Sequence, residues 1–260
     1  MFSHSAPVLR KDLIIVKKKV FTIFAGTLTT AALGLGCFLF SGQYAAEASM
    51  VKTESDENVT FQQEKDYWLF DSKSCTDTAL IFYGGAKIEE LAYSGLLNEI
   101  AESGTADVFL IDAPANIPLF GKDNAEIIMN QYADQYETIY FGGHSLGGSV
   151  AGMYVAEHQY DNIKGLIFLA SYNTEPAPES IDRLLYVYGD CDGILTMENL
   201  QKDLEQEEKA EKQVTVTEIK GGNHANFGNY GIQKNDGTAG IEREEQVQQT
   251  VNAIQTFVQS

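Results

Sequence analysis

Basic residues are scarce in this 260-residue chain: eighteen Lys and Arg stand against 37 Asp and Glu, a formal net charge of −19. Five of the basic groups (Arg10, Lys11, Lys17, Lys18, Lys19) and one acid, Asp12, fall in residues 1–19, leaving 13 basic against 36 acidic residues beyond them. A body that acidic is no partner for nucleic acid or for an anionic membrane surface, both of which need an electropositive face. Histidine is also sparse, with four in all. No His, Cys or Glu cluster has metal-ligand spacing, so neither a metal nor another cofactor is expected. Cysteine is limited to Cys37, Cys75 and Cys191. A strand-and-helix sheet puts Cys75 and Cys191 at opposite ends of strands, ~20 Å apart and beyond disulfide reach, so no bridge is expected. There is no internal repeat and no second domain.

What is present begins with "KKKVFTIFAGTLTTAALGLGCFLFSG". The uncharged run 20–40 is long enough, at about 1.5 Å per residue, to cross a hydrocarbon core. The lysines before it keep residues 1–19 cytoplasmic and put everything after Phe40 outside. The expectation is a single-pass anchor with an extracytoplasmic body. A cleaved signal is the alternative, because "AEA" at 46–48 offers small residues at a cleavage site. Residues 41–65 are small and polar at first and read as a linker and lead-in, and residues 66–260 as the domain.

From there strand-like and helix-like runs alternate. "YWLFDS", "ALIFYGG", "DVFLIDAP", "ETIYFGG", "KGLIFLAS", "RLLYVYG" and "VTVTEIKG" read as strands. "EELAYSGLLNEIAESG", "DNAEIIMNQYADQY" (capped by Asp123), "GGSVAGMYVAEHQY", "MENLQKDLEQEEKAEKQ" and "EREEQVQQTVNAIQTFVQ" read as helices, the last with Val247, Val251, Ile254 and Val258 along one face. The charged helix near 198–212 reads as a solvated face. This alternation implies an α/β fold with a mostly parallel sheet covered by helices on both sides.

Chemistry gathers where strands end. Gly143-His144-Ser145-Leu146-Gly147 is a G-x-S-x-G pattern at the junction of a strand and a helix. The turn it makes is so tight that side chains at Gly143 and Gly147 would collide, and it exposes a serine in a strained conformation. A nucleophilic serine needs a base. His4 lies before the anchor, His144 occupies the variable slot beside the serine and points elsewhere, and His158 is more than three turns along the next helix. His224, after the last strand, is left. An acid must orient that imidazole; "YVYGDCDGIL" supplies Asp192 and, behind it, Asp190. Oxyanion donors would be the main-chain N–H of Leu146 and of Gly85 or Ala86, where glycine lets the backbone approach a substrate.

With Ser145, Asp192 and His224 in that order, the chain resembles an α/β-hydrolase over about residues 66–260. More narrowly it is similar to a compact subgroup without a cap domain, carrying "GGHSLGG" and a histidine segment like "GGNHANFGNYGIQKNDG". Such relatives show Pro-Gly-Gly-Lys after the oxyanion strand, where this chain has Gly84-Gly85-Ala86-Lys87, leaving the second donor open. The resemblance implies metal-free hydrolysis of a small or surface-borne acyl substrate, carboxylesterase-like, through an acyl-serine intermediate. Only Ser171 to about Ile181 lie where relatives insert a cap, so an open site is expected. A catalytically silent binding domain and an amide or peptide hydrolase with the same triad are the alternatives.

Overall fold

Side chains alternate across a strand, so one apolar run can feed two cores. In Thr78–Tyr83, Leu80 and Phe82 enter one cluster while Ala79, Ile81 and Tyr83 enter another. The computed structural model of the chain describes residues 41–74 and 77–260. Its strands in chain order are β1 (Val59–Gln63), β2 (Tyr67–Ser72), β3 (Thr78–Tyr83), β4 (Asp107–Ile111), β5 (Thr138–His144), β6 (Ile163–Leu169), β7 (Arg183–Gly189) and β8 (Gln213–Ile219). They form one sheet in the order β1-β2-β4-β3-β5-β6-β7-β8. β1 and β2 join antiparallel, and every pairing from β4 to β8 is parallel.

Five α-helices cover this sheet among the described residues: α1 (Ser94–Glu102), α2 (Ala125–Tyr132), α3 (Leu146–Glu157), α4 (Met197–Lys209) and α5 (Arg243–Gln259). Leu97 and Ile100 of α1 and Val251, Ile254 and Phe257 of α5 pack on one face with Phe70, Val108 and Leu185. Ile128 of α2, Val150 and Tyr154 of α3 and Leu200 of α4 pack on the other with Phe109, Phe141 and Phe168. The chain leaves β3 toward β4 on one side and returns to β5 on the other. The loops after β3 and β5 therefore part from each other, leaving the crevice in which α/β sheets hold ligands.

The expected alternation holds, with differences of physical interest. Residues 41–65, read as linker and lead-in, contain β1, and Gln43–Ser260 is one unit. β1 leaves little trace in the sequence because it is an edge strand whose Gln62 and Gln63 face solvent, so its apolar signal is Val59 and Phe61 alone. Asp123 caps no helix. It lies in a 3₁₀ helix (Pro118–Asn124) that runs directly into α2, so no free helix N-terminus remains for it to cap. The charged helix turns a solvated face outward, as expected, but directs two acids inward. Asp203 and Glu207 of α4 are buried, where they accept main-chain N–H groups of Asn173 (2.7 Å) and Ala177 (2.7 Å). The segment 20–40 and Cys75 lie outside the described residues. Among those described, no helix is long and apolar enough to cross a membrane.

Candidate active site

Ser145 sits between β5 and α3 with φ 53° and ψ −126°, a region that costs an L-residue of order 1–3 kcal/mol. The surroundings enforce it. Its N–H donates to Leu169 O at 2.9 Å, and its own carbonyl accepts Ser171 Oγ at 2.6 Å. A Cβ on Gly143 would stand 2.6 Å from Tyr83 O, and one on Gly147 would strike the carbonyls of Tyr83 and Gly84. Both positions are closed to any side chain, so the turn presses directly on the loop that follows β3.

His224 follows β8 and begins a single 3₁₀ turn, Ala225–Phe227. Its Nδ1 lies 2.8 Å from Asp192 Oδ2, with the two side chains 1% and 2% exposed. Asp192 follows β7, and its Oδ1 accepts the N–H groups of Ile194 and Leu195, both at 2.8 Å. Those two bonds hold the carboxylate before it meets the imidazole. Asp190 stands apart: it accepts Gly221 N–H at 2.6 Å and lies 3.6 Å from Lys220, and the Gly221 bond draws its pKa down. It braces the β7 and β8 ends rather than His224. His224 Nε2 is buried and makes no hydrogen bond. Ser145 and His224 line one cavity of about 170 Å³, with Leu146, Ser149, Ala170, Tyr172, Ile194 and Leu195 among its walls.

Two expectations need correction. His144 does not point away from the site. It is fully buried, its ring 4.4 Å from that of His224 between centroids, with Nδ1 2.8 Å from Tyr93 Oη. A strand residue next to the turn has its side chain directed into the sheet's covered face, and here that face carries the loop of His224. Gly85 is not a free donor either, since its N–H donates to Tyr93 Oη at 2.9 Å. The loop amide without an acceptor among the described residues is that of Ala86, while Leu146 N–H lies at the first turn of α3.

Two further groups shape the site without any motif to mark them. Asp236 accepts from Gly193 (3.1 Å), His224 (3.3 Å), Ala225 (2.8 Å) and its neighbour Gly237 (2.8 Å), tying the loop of Asp192 to that of His224. Its "NDG" setting reads as an ordinary turn. Gln246 of α5, fully buried, exchanges two hydrogen bonds of 2.9 and 2.8 Å with the main chain of Asn223. Among the described residues no three His, Cys, Asp or Glu side chains are grouped as a metal would require.

The model of the "Alpha/beta hydrolase family" matches residues 79–248. No curated protein is significantly similar in sequence. Among solved structures, the chain is similar in fold to carboxyl esterase 2 of the mycorrhizal fungus Tuber melanosporum (TM-score 0.61, 12% identity, 84% of this chain and 91% of that one). It is similar also to an esterase of Pyrobaculum calidifontis (0.57, 13%, 80% and 88%) and to the Francisella virulence factor BioJ (0.59, 14%, 80% and 88%).

Proposed function

The chain belongs to the alpha/beta hydrolase family, and from that premise we propose that it is a carboxylesterase-like serine hydrolase using Ser145, His224 and Asp192. The observation that carries the reading is the buried imidazole of His224. It is bound on Nδ1 by Asp192 and bare on Nε2, at a cavity that Ser145 also lines. Asp192 fixes the tautomer with the proton on Nδ1, so Nε2 is the basic atom. Nε2 takes the Ser145 proton as Oγ attacks the ester carbonyl. The oxyanion is held by the N–H groups of Leu146 and Ala86, with the N-terminus of α3 favouring the charge. The imidazolium then protonates the leaving alcohol, and water, deprotonated by the same Nε2, releases the acid from the acyl-serine.

The cavity suits a short substrate arm. Two of its hydroxyls are engaged elsewhere, Ser149 Oγ donating to Tyr172 O and Ser171 Oγ to Ser145 O, and Leu146, Ile194 and Leu195 supply apolar walls beside Thr196. The β6–β7 connection, residues 170–182, holds neither helix nor strand, which favours a site without a cap domain. The sequence of residues 1–40 supports a single-pass anchor carrying this domain outside the cytoplasm, with secretion after cleavage as the other outcome of a membrane-fractionation test.

The test is labelling of the full chain with a fluorophosphonate, beside Ser145→Ala, His224→Ala and Asp192→Asn. We expect the parent to label, the first two variants to lose labelling, and Asp192→Asn to fall by about 10³–10⁴-fold. A folded parent that does not label overturns the proposal in favour of a silent binding domain. Matched ester and amide substrates separate an esterase from an amidase.

A further inference from the structure

One buried pair of side chains joins two parts of the site that are far apart in sequence. Tyr93 is fully enclosed beside Phe82, with ring centroids 5.5 Å apart. Its Oη accepts the N–H of Gly85 at 2.9 Å and lies 2.8 Å from His144 Nδ1. Burial pushes the phenol far above its ordinary pKa, so it keeps its proton; with Oη already accepting from Gly85, His144 Nδ1 is the acceptor in reach of that proton. An accepting Nδ1 means a neutral imidazole protonated at Nε2. Burial, with the neighbouring His224 side chain, holds His144 well below its ordinary pKa, and the main chain of His224 pulls weakly the other way. The His144 ring lies 4.4 Å from His224 and 5.6 Å from Phe227, between centroids.

We infer that Tyr93 and His144 are positioning residues of the hydrolytic site: a buried relay that holds the loop after β3 and the ring of His224 in one register with Ser145. This rests on the proposed hydrolase function. His144 is covalently next to Ser145, so the relay starts from the nucleophile's own strand. From there it reaches the loop through Tyr93 and the base through ring contact. Gly85 is shaped to it, because a Cβ there would stand 2.9 Å from Tyr93 Oη and 3.0 Å from His144 Nδ1. The bond to Tyr93 pins the loop through Gly85 and leaves the adjacent amide, Ala86, untied. A neutral ring behind His224 also leaves the imidazolium unopposed when it forms in the transition state, as a second cation there would not.

The test compares the full chain with Tyr93→Phe, His144→Leu and His144→Asn in p-nitrophenyl butyrate hydrolysis across pH, with the rate of fluorophosphonate labelling read in parallel. Tyr93→Phe removes one oxygen and keeps the ring; Asn Oδ1 stands near the place of Nδ1 and can accept from Tyr93. Tyr93→Phe and His144→Leu are expected to lower kcat by about 10–100-fold, the scale of a misplaced catalytic group, with KM within about twofold. They should also shift the acid limb of the pH profile, and His144→Asn should recover most of the rate. A folded Tyr93→Phe with the parent's kcat and acid limb overturns the inference, as does His144→Asn performing no better than His144→Leu. If Tyr93→Phe does not fold, the two His144 variants decide. A parent that neither labels nor hydrolyses removes the hydrolase reading, and the relay with it; a labelling parent matched by its variants removes the relay alone.

Discussion

A single carboxylate, Asp236, accepts four main-chain N–H groups from two loops. Removing it leaves those donors to water or weaker acceptors; one bond to a charged group contributes roughly 1.5–3 kcal/mol, and four that share a single part-exposed carboxylate do not add in full. Asp236→Ala should therefore lower stability in chemical denaturation by about 3 kcal/mol and slow labelling at least about tenfold, because Asp192 and His224 lose their common tether. Asp236→Asn, which keeps one accepting oxygen, should fall between. Unchanged labelling in a folded Asp236→Ala would show that the two loops hold their places without it. The contrast with Ser145 shows what a sequence discloses. The serine turn was legible because its constraint is local: two glycines, two residues either side, flanked by a strand and a helix. The Asp192–His224 contact was reachable because the serine reading asks for an acid and a base at strand ends, and the two side chains do meet there. Asp236 and the Tyr93–His144 pair obey no spacing, since what joins Tyr93 to a residue 51 positions later is the pairing of β3 with β5.

At the scale of elements, α4 does more than shield the sheet. Residues 170–182, having no helix or strand of their own, need acceptors for their N–H groups. Asp203 and Glu207, one turn apart on α4, reach inward to supply them, and Tyr186 Oη also donates to Asp203 at 2.9 Å. Burial raises the pKa of both acids, Asp203 to about 6 with help from the charge of Glu207. Each also leaves one buried oxygen without a partner, as suits a carboxyl that gains a proton easily. A folded-state pKa above the unfolded one means the fold holds the proton more tightly. The stabilisation is complete below the unfolded pKa, near 4, and is lost as pH rises through about 6. Glu90, pushed by burial to about 7, acts in the same direction. The melting temperature should therefore fall between about pH 4 and 7, and Asp203→Asn should flatten that slope by about 1–3 kcal/mol. A slope identical in the variant would assign the effect to other groups. The solvated face of α4 was legible from its charge, but its inward stripe was not, because such a stripe is read from apolar residues and here two of its members are acids.

For the whole molecule, strain at one residue is carried by the stability of all the rest. Ser145 is held at φ 53° by its bonds to Leu169 of β6 and to Ser171 just beyond it, and by close-packed main chain on both flanks. Glycine adopts that conformation without steric strain, at an entropic cost of about 0.5–1 kcal/mol that offsets part of the relief. Ser145→Gly should abolish labelling and yet raise the unfolding free energy by the remainder of that relief, less than about 3 kcal/mol, measured by denaturant titration against Ser145→Ala, which keeps the strain. Equal stability of the two variants would mean the turn is relaxed as it stands. On the proposed hydrolase reading, the variant with glycine at 145 is both the more durable and the inert one. Residue 145 would then be a record of use over evolutionary time, since a lineage released from selection for turnover has a downhill route to a sturdier, inert descendant through this one codon.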